Sequence, residues 1–205
     1  MSRNLTWFSY IGGEDIRDRC GPGASDSYRF VYNGIYRKQI RSYDLRMLPD
    51  GRSATLSAWA RAVPDFARPI PVLELGRQWD GTRAEATLPV QGVGSLRAAL
   101  EADGLRGDRP DVLRLPSNEF YWTAAACVDG RFLTNAWLYP SARFESLRFP
   151  GVLKTYDRTG VPFYEARPVN RRDDDPNLYD GDQSEFAPFH VQLGPKGFVG
   201  TDGLI

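Results

Sequence analysis

Three runs of strand-forming residues follow one another between residues 28 and 63, each set off by turn residues. This spacing constrains the fold more than any other feature of the chain. Tyr28-Arg29-Phe30-Val31-Tyr32 is rich in aromatic and β-branched side chains, which suit a pleated, half-buried surface. Asn33-Gly34, a strong hairpin signal, follows it. Residues 35–48 look extended, Pro49-Asp50-Gly51 supplies a turn, and residues 52–63 continue beyond it. In this third run Ala54, Leu56, Ala58, Ala60 and Ala62 point one way, and Ser53, Thr55, Ser57, Trp59 and Arg61 the other. Residues 28–63 therefore read as a β-meander of three strands. Its Ala-rich face is too small to fill a wide core, so it should pack closely under another sheet or a helix.

Further strands are expected at 72–75, 83–90, 144–149, 152–156, 161–167 and 189–193. A second hairpin joins 119–128 to 132–139 through Asp129-Gly130-Arg131, with Phe120, Trp122, Ala124, Ala126 and Val128 on one face. One short helix is expected at 95–102, capped by Ser95, spaced by Leu96, Ala99 and Leu100, and stopped at Gly104. Residues 11–27, 64–82 and 168–185 read as loops. The expected fold is mainly β: an antiparallel β-barrel or β-sandwich of about nine or ten strands with one short helix, in a single domain over 1–205. Alternating βα units are absent, which disfavours a doubly wound sheet or an α/β barrel.

At 205 residues, with 41% hydrophobic and 25% charged side chains, the chain has the material for a packed core and is not a disordered sequence. Lys+Arg and Asp+Glu are 26 each, a balance that argues against a nucleic-acid partner or a polybasic membrane binder. No apolar run approaches the roughly 20 residues that span a bilayer, and no leader peptide is visible. Cys20 and Cys127 lie far apart without a ladder of spacings. A disulfide is one option, and two reduced thiols in a cytoplasmic protein is the simpler one.

The strong catalytic patterns are missing: no GxSxG, HExxH, Walker loop or GxGxxG occurs. Gly92-Val93-Gly94-Ser95 reads as a turn into the helix. The acidic stretch 171–185 fails the EF-hand template, because Tyr179 and Asp180 fall where an oxygen ligand and a glycine are needed. No metal site is expected, and no cofactor is indicated. His190 is the one histidine, so any histidine-dependent catalysis would have to use it. Its apolar neighbours also suit a half-buried structural role.

If residues 37–47 form one strand, Arg37, Gln39, Arg41 and Tyr43 share a face, opposite Ser57, Trp59 and Arg61. Arg, Tyr and Trp on one sheet face can hold an anionic or aromatic ligand by forked hydrogen bonds and stacking. A solvated sheet face would carry similar residues. Three functions follow as expectations. The first is a non-catalytic module binding a small anionic or aromatic ligand at Arg37, Arg41, Tyr43, Trp59 and Arg61. The second is an accessory subunit with a protein partner, and the third is an enzyme built on His190 or a carboxylate pair.

Overall fold

The computed structural model describes residues 7–62, 81–107, 111–168 and 189–200. The strand expected at 72–75 and the acidic stretch 171–185 lie outside the described residues. Two short helices, α1 (Trp7–Gly12) and α2 (Glu14–Arg17), open the chain. The meander follows as β1 (Ser27–Gly34), β2 (Gln39–Met47), β3 (Ala54–Ala62) and β4 (Thr82–Leu88). Helix α3 (Val90–Ala102) leads to β5 (Leu113–Pro116), then β6 (Phe120–Val128) and β7 (Arg131–Leu138). Helices α4 (Ala142–Glu145) and α5 (Phe149–Tyr156) precede an irregular segment over 157–168. Strands β8 (His190–Gly194) and β9 (Gly197–Gly200) complete the described chain.

The strands form a six-stranded antiparallel sheet in the order β4-β3-β2-β1-β6-β7 and a three-stranded sheet in the order β5-β8-β9. Among the described residues the large sheet does not close into a barrel: its outermost strands are β4 and β7. The mainly β, antiparallel expectation holds at that level. Among the described residues five helices replace the one expected, and the two layers on the large sheet differ in kind.

One face of the sheet presents Phe30, Tyr43, Leu56, Trp122 and Ala124 to Val93, Leu96 and Leu100 of α3 and to Phe149 and Leu153 of α5. The alternating Ala54, Leu56 and Ala58 lie in this core, packed under helices as their small size requires. The other face presents Val31, Ile40, Tyr121 and Ala136 to Ile11 of α1 and to Leu115, Val191 and Leu193 of the small sheet. Full burial of each large apolar side chain contributes about 1.5–3 kcal/mol, so both layers are bound mainly by the hydrophobic effect.

The second hairpin turns on Asp129 and Gly130, both at positive φ, with Val128 opposite Arg131. That geometry fits a tight two-residue turn. The first hairpin differs from expectation: Asn33 and Gly34 remain in β1, paired with Ile40 and Gln39, and the chain reverses over 35–38. Helix α3 begins five residues before Ser95, so Gly92-Val93-Gly94-Ser95, expected as a turn into the helix, lies inside it. A Cβ on Gly92 would sit 2.7 Å from the Tyr156 hydroxyl, so glycine there allows α3 to approach α5.

Residues 11–27, expected to be a loop, begin with the end of α1 and the whole of α2. Arg29 of β1 is the reason this segment lies down on the sheet. Its Nη1 and Nη2 fork onto Asp15 at 2.6 and 3.2 Å, and its Nε donates to Asp44 at 2.7 Å. Tyr10 lies under the guanidinium and donates its hydroxyl to Asp44 at 2.7 Å. Just beyond α2, Cys20 is bonded to Cys127 of β6. The reduced-thiol reading is thereby corrected: folding brings the two Cα atoms to 5.5 Å, within bridging range, although they are 107 residues apart in sequence. No helix among the described residues is long and apolar enough to cross a membrane.

Candidate functional site

Strand register decides which expected site residues meet. Arg41 pairs with Ala60 and Tyr43 with Ala58, whereas Ser42 pairs with Trp59 and Ile40 with Arg61. Residues directly opposite in an antiparallel pair share a face. Arg41 and Tyr43 therefore lie on the helix-covered face, and Trp59 and Arg61 on the other. Arg37 is in the turn before β2. Arg61 stacks over Tyr36 at 5.1 Å. The five residues do not form one surface, because a one-residue offset in register moves a whole set of side chains to the opposite face.

Arg41 is fully buried, and all five of its N–H donors are committed inside the protein. Nε donates to Gln39 Oε1 at 3.0 Å, and Nη1 to Asp157 Oδ2 at 2.6 Å and Thr159 Oγ1 at 3.2 Å. Nη2 donates to the carbonyls of Val161 and Pro162. Asp157 is equally well held. Its Oδ2 also accepts the Tyr43 hydroxyl at 2.6 Å, and its Oδ1 accepts the backbone N–H and hydroxyl of Thr159 at 2.8 and 2.6 Å. The pair clamps the 157–168 segment to β2. No donor of Arg41 is left for a ligand.

Burial alone would raise the Asp157 carboxyl. The hydrogen bonds from Thr159 and Tyr43 and the Arg41 charge outweigh it and hold the carboxyl below its usual range. Asp15 follows the same logic, with burial opposed by the hydrogen bond and charge of Arg29. Burial, followed by the bond to Asp157, pushes the Tyr43 phenol upward, so it stays a donor. Both carboxylates are depressed in the folded state. Their contribution is therefore complete above the unfolded value of 3.8 and is lost as pH falls below it through the folded values. In an acid titration followed by circular dichroism, stability should fall steeply below about pH 4, and less steeply in Asp157→Asn. Identical acid limbs in the two proteins would contradict this assignment.

The clamped segment, through Phe163, Glu165 and Ala166, forms one wall of a cleft of about 280 Å³. Its floor is Tyr32 of β1 and Trp122 of β6, whose rings lie 4.9 Å apart. Tyr139, just after β7, and Phe144 of α4 line it edge-to-face, 5.4 Å apart. Phe163, in the clamped segment, lies 5.6 Å from the Tyr32 ring and 4.0 Å from the Arg41 guanidinium. Tyr32 in turn donates its hydroxyl to the Tyr164 carbonyl at 2.7 Å, fixing the same segment a second time. The charged lining residues are Glu145, Lys154 and Glu165.

Helix α5 carries Lys154 because Phe149 and Leu153, a helical turn apart, are both fully buried against the sheet. Its first turn is fastened by Asp103, the residue just after α3, whose carboxylate accepts the backbone N–H groups of Arg148 and Phe149 at 2.9–3.0 Å. The strands expected at 144–149 and 152–156 are therefore corrected to parts of α4 and α5. Aromatic and β-branched composition suggested strands there. Pro150 in the first turn and the Phe149/Leu153 spacing are the helical signals. The strand expected at 161–167 is irregular, since its carbonyls are taken by the Arg41 and Gln39 side chains.

His190 opens β8, away from the cleft. Arg114 of β5 lies with Nη2 3.0 Å from its Nδ1. Arginine can only donate, so Nδ1 accepts and the ring proton belongs on Nε2. Among the cleft residues only Trp122 was placed on the correct face from sequence. The others come from five separate segments and share no local motif. Comparison with protein-family models, curated proteins and solved structures found no match to this chain.

Proposed function

We propose that the protein is a non-catalytic binding module that takes a small aromatic ligand into this cleft. The observation that carries the reading is the set of five aromatic rings around a volume of about 280 Å³. Apolar cavities of roughly 150 Å³ admit a benzene ring, so this volume suits a one- or two-ring molecule. The double fastening of the 157–168 segment supports a preformed wall, which spares the ligand the cost of ordering a loop. The face of Trp59 and Arg61, first expected to bind, lacks the partner residues Arg41 and Tyr43. A disulfide is stable in an oxidising compartment, so we place the protein's working location there and not in the cytoplasm.

Calorimetric titration with indole tests the reading. Binding is expected, and Phe144→Ala should weaken it about threefold to tenfold, the loss of one ring contact. No heat of binding would reject the site, and an unchanged affinity in Phe144→Ala would move the ligand elsewhere.

A further inference from the structure

We infer that the ligand of the cleft is an organic cation, an ammonium group attached to an aromatic or apolar body. This rests on the cleft being the binding site. The protein already fills one cation seat with its own side chain. Lys154 Nζ lies 2.7 and 2.9 Å from the two Glu165 oxygens and 4.4 Å from the Phe163 ring centre. A carboxylate beside an aromatic face is the chemistry that recognises ammonium groups.

A second carboxylate remains. Glu145 lines the same cleft, is exposed at the end of α4 next to Phe144, and makes no ion pair among the described residues. The lining thus holds two carboxylates and one ammonium, and the ammonium is already paired. An incoming anion would meet the unpaired Glu145 and a neutralised Lys154. An incoming cation would meet Glu145 beside the rings of Tyr139 and Phe144. The Lys154–Glu165 pair is itself solvent-exposed, and exposed pairs of this kind are held weakly. A ligand ammonium can therefore displace Lys154 and take the Phe163 face.

Calorimetric titrations of the full chain with benzyltrimethylammonium, benzoate and indole distinguish the outcomes. The cation should bind about tenfold more tightly than benzoate. Glu145→Gln should weaken the cation about fivefold while leaving indole unchanged, and Lys154→Met should preserve or strengthen cation binding. Both substitutions are at exposed positions, so folding is retained. Benzoate binding more tightly than the cation, and lost in Lys154→Met, would overturn the inference while leaving the cleft as the site. Equal affinities for all three probes would overturn it in the same way. No binding of any probe would reject the cleft itself, and the inference with it.

Discussion

Replacing Cys20 and Cys127 together by alanine should lower the free energy of unfolding by roughly 3–5 kcal/mol. The bridge closes a loop 107 residues apart in sequence, and a cross-link over so long a span removes much of the unfolded chain's freedom. It also does local work. It anchors the segment after α2 to β6, the strand that carries Trp122 on its other face. For a chain of this length the loss corresponds to a fall in Tm of roughly 6–20 °C. Wild-type protein melted in excess dithiothreitol should show the same fall. Thiol titration of protein denatured without reductant provides the direct check: no thiol should react, and two reactive thiols would contradict the bridge.

The second large effect is expected at Arg41. Arg41→Ala removes the guanidinium paired with Asp157 in a buried layer, and leaves the Gln39 side chain and the Val161 and Pro162 carbonyls without that donor. Breaking one partner out of a buried pair costs about 3–5 kcal/mol. Arg41→Lys should be nearly as damaging, because one ammonium with three donors cannot reproduce a planar fork serving five acceptors. By contrast Arg37→Ala and Arg61→Ala, both on partly exposed side chains, should shift the urea midpoint by less than about 0.5–1 kcal/mol equivalent. An Arg41→Ala protein within 1 kcal/mol of wild type would show that the clamp is not structural. Loss of ligand binding in Arg41→Ala is also expected, since the wall bearing Phe163 depends on it. Phe144→Ala is the variant that separates contact from scaffolding.

The meander and the Asp129-Gly130 hairpin were legible because alternation and turn chemistry are local properties. Ala54, Leu56 and Ala58 announce their buried face within a single strand. The packing partner of that face was not legible, because it depends on α3 and α5. Helix α5 is eight residues long with an aromatic and β-branched composition, so its strand-like content outweighed its helical spacing. Arg41 was misread for a related reason. A polar residue on a sheet face suggests solvent, yet the 157–168 segment returns over it from 116 residues away in sequence. The disulfide and the cleft share this property: both join segments that only the completed topology brings together.

The most direct test is to map where a small aromatic molecule lands, by ¹H–¹⁵N NMR of the protein titrated with indole. The expected result is a set of saturable shifts at Trp122, Phe144, Lys154 and Phe163, with the Trp59 and Arg61 signals unmoved. Shifts centred on Trp59 and Arg61, or none at all, would contradict the cleft as the binding site.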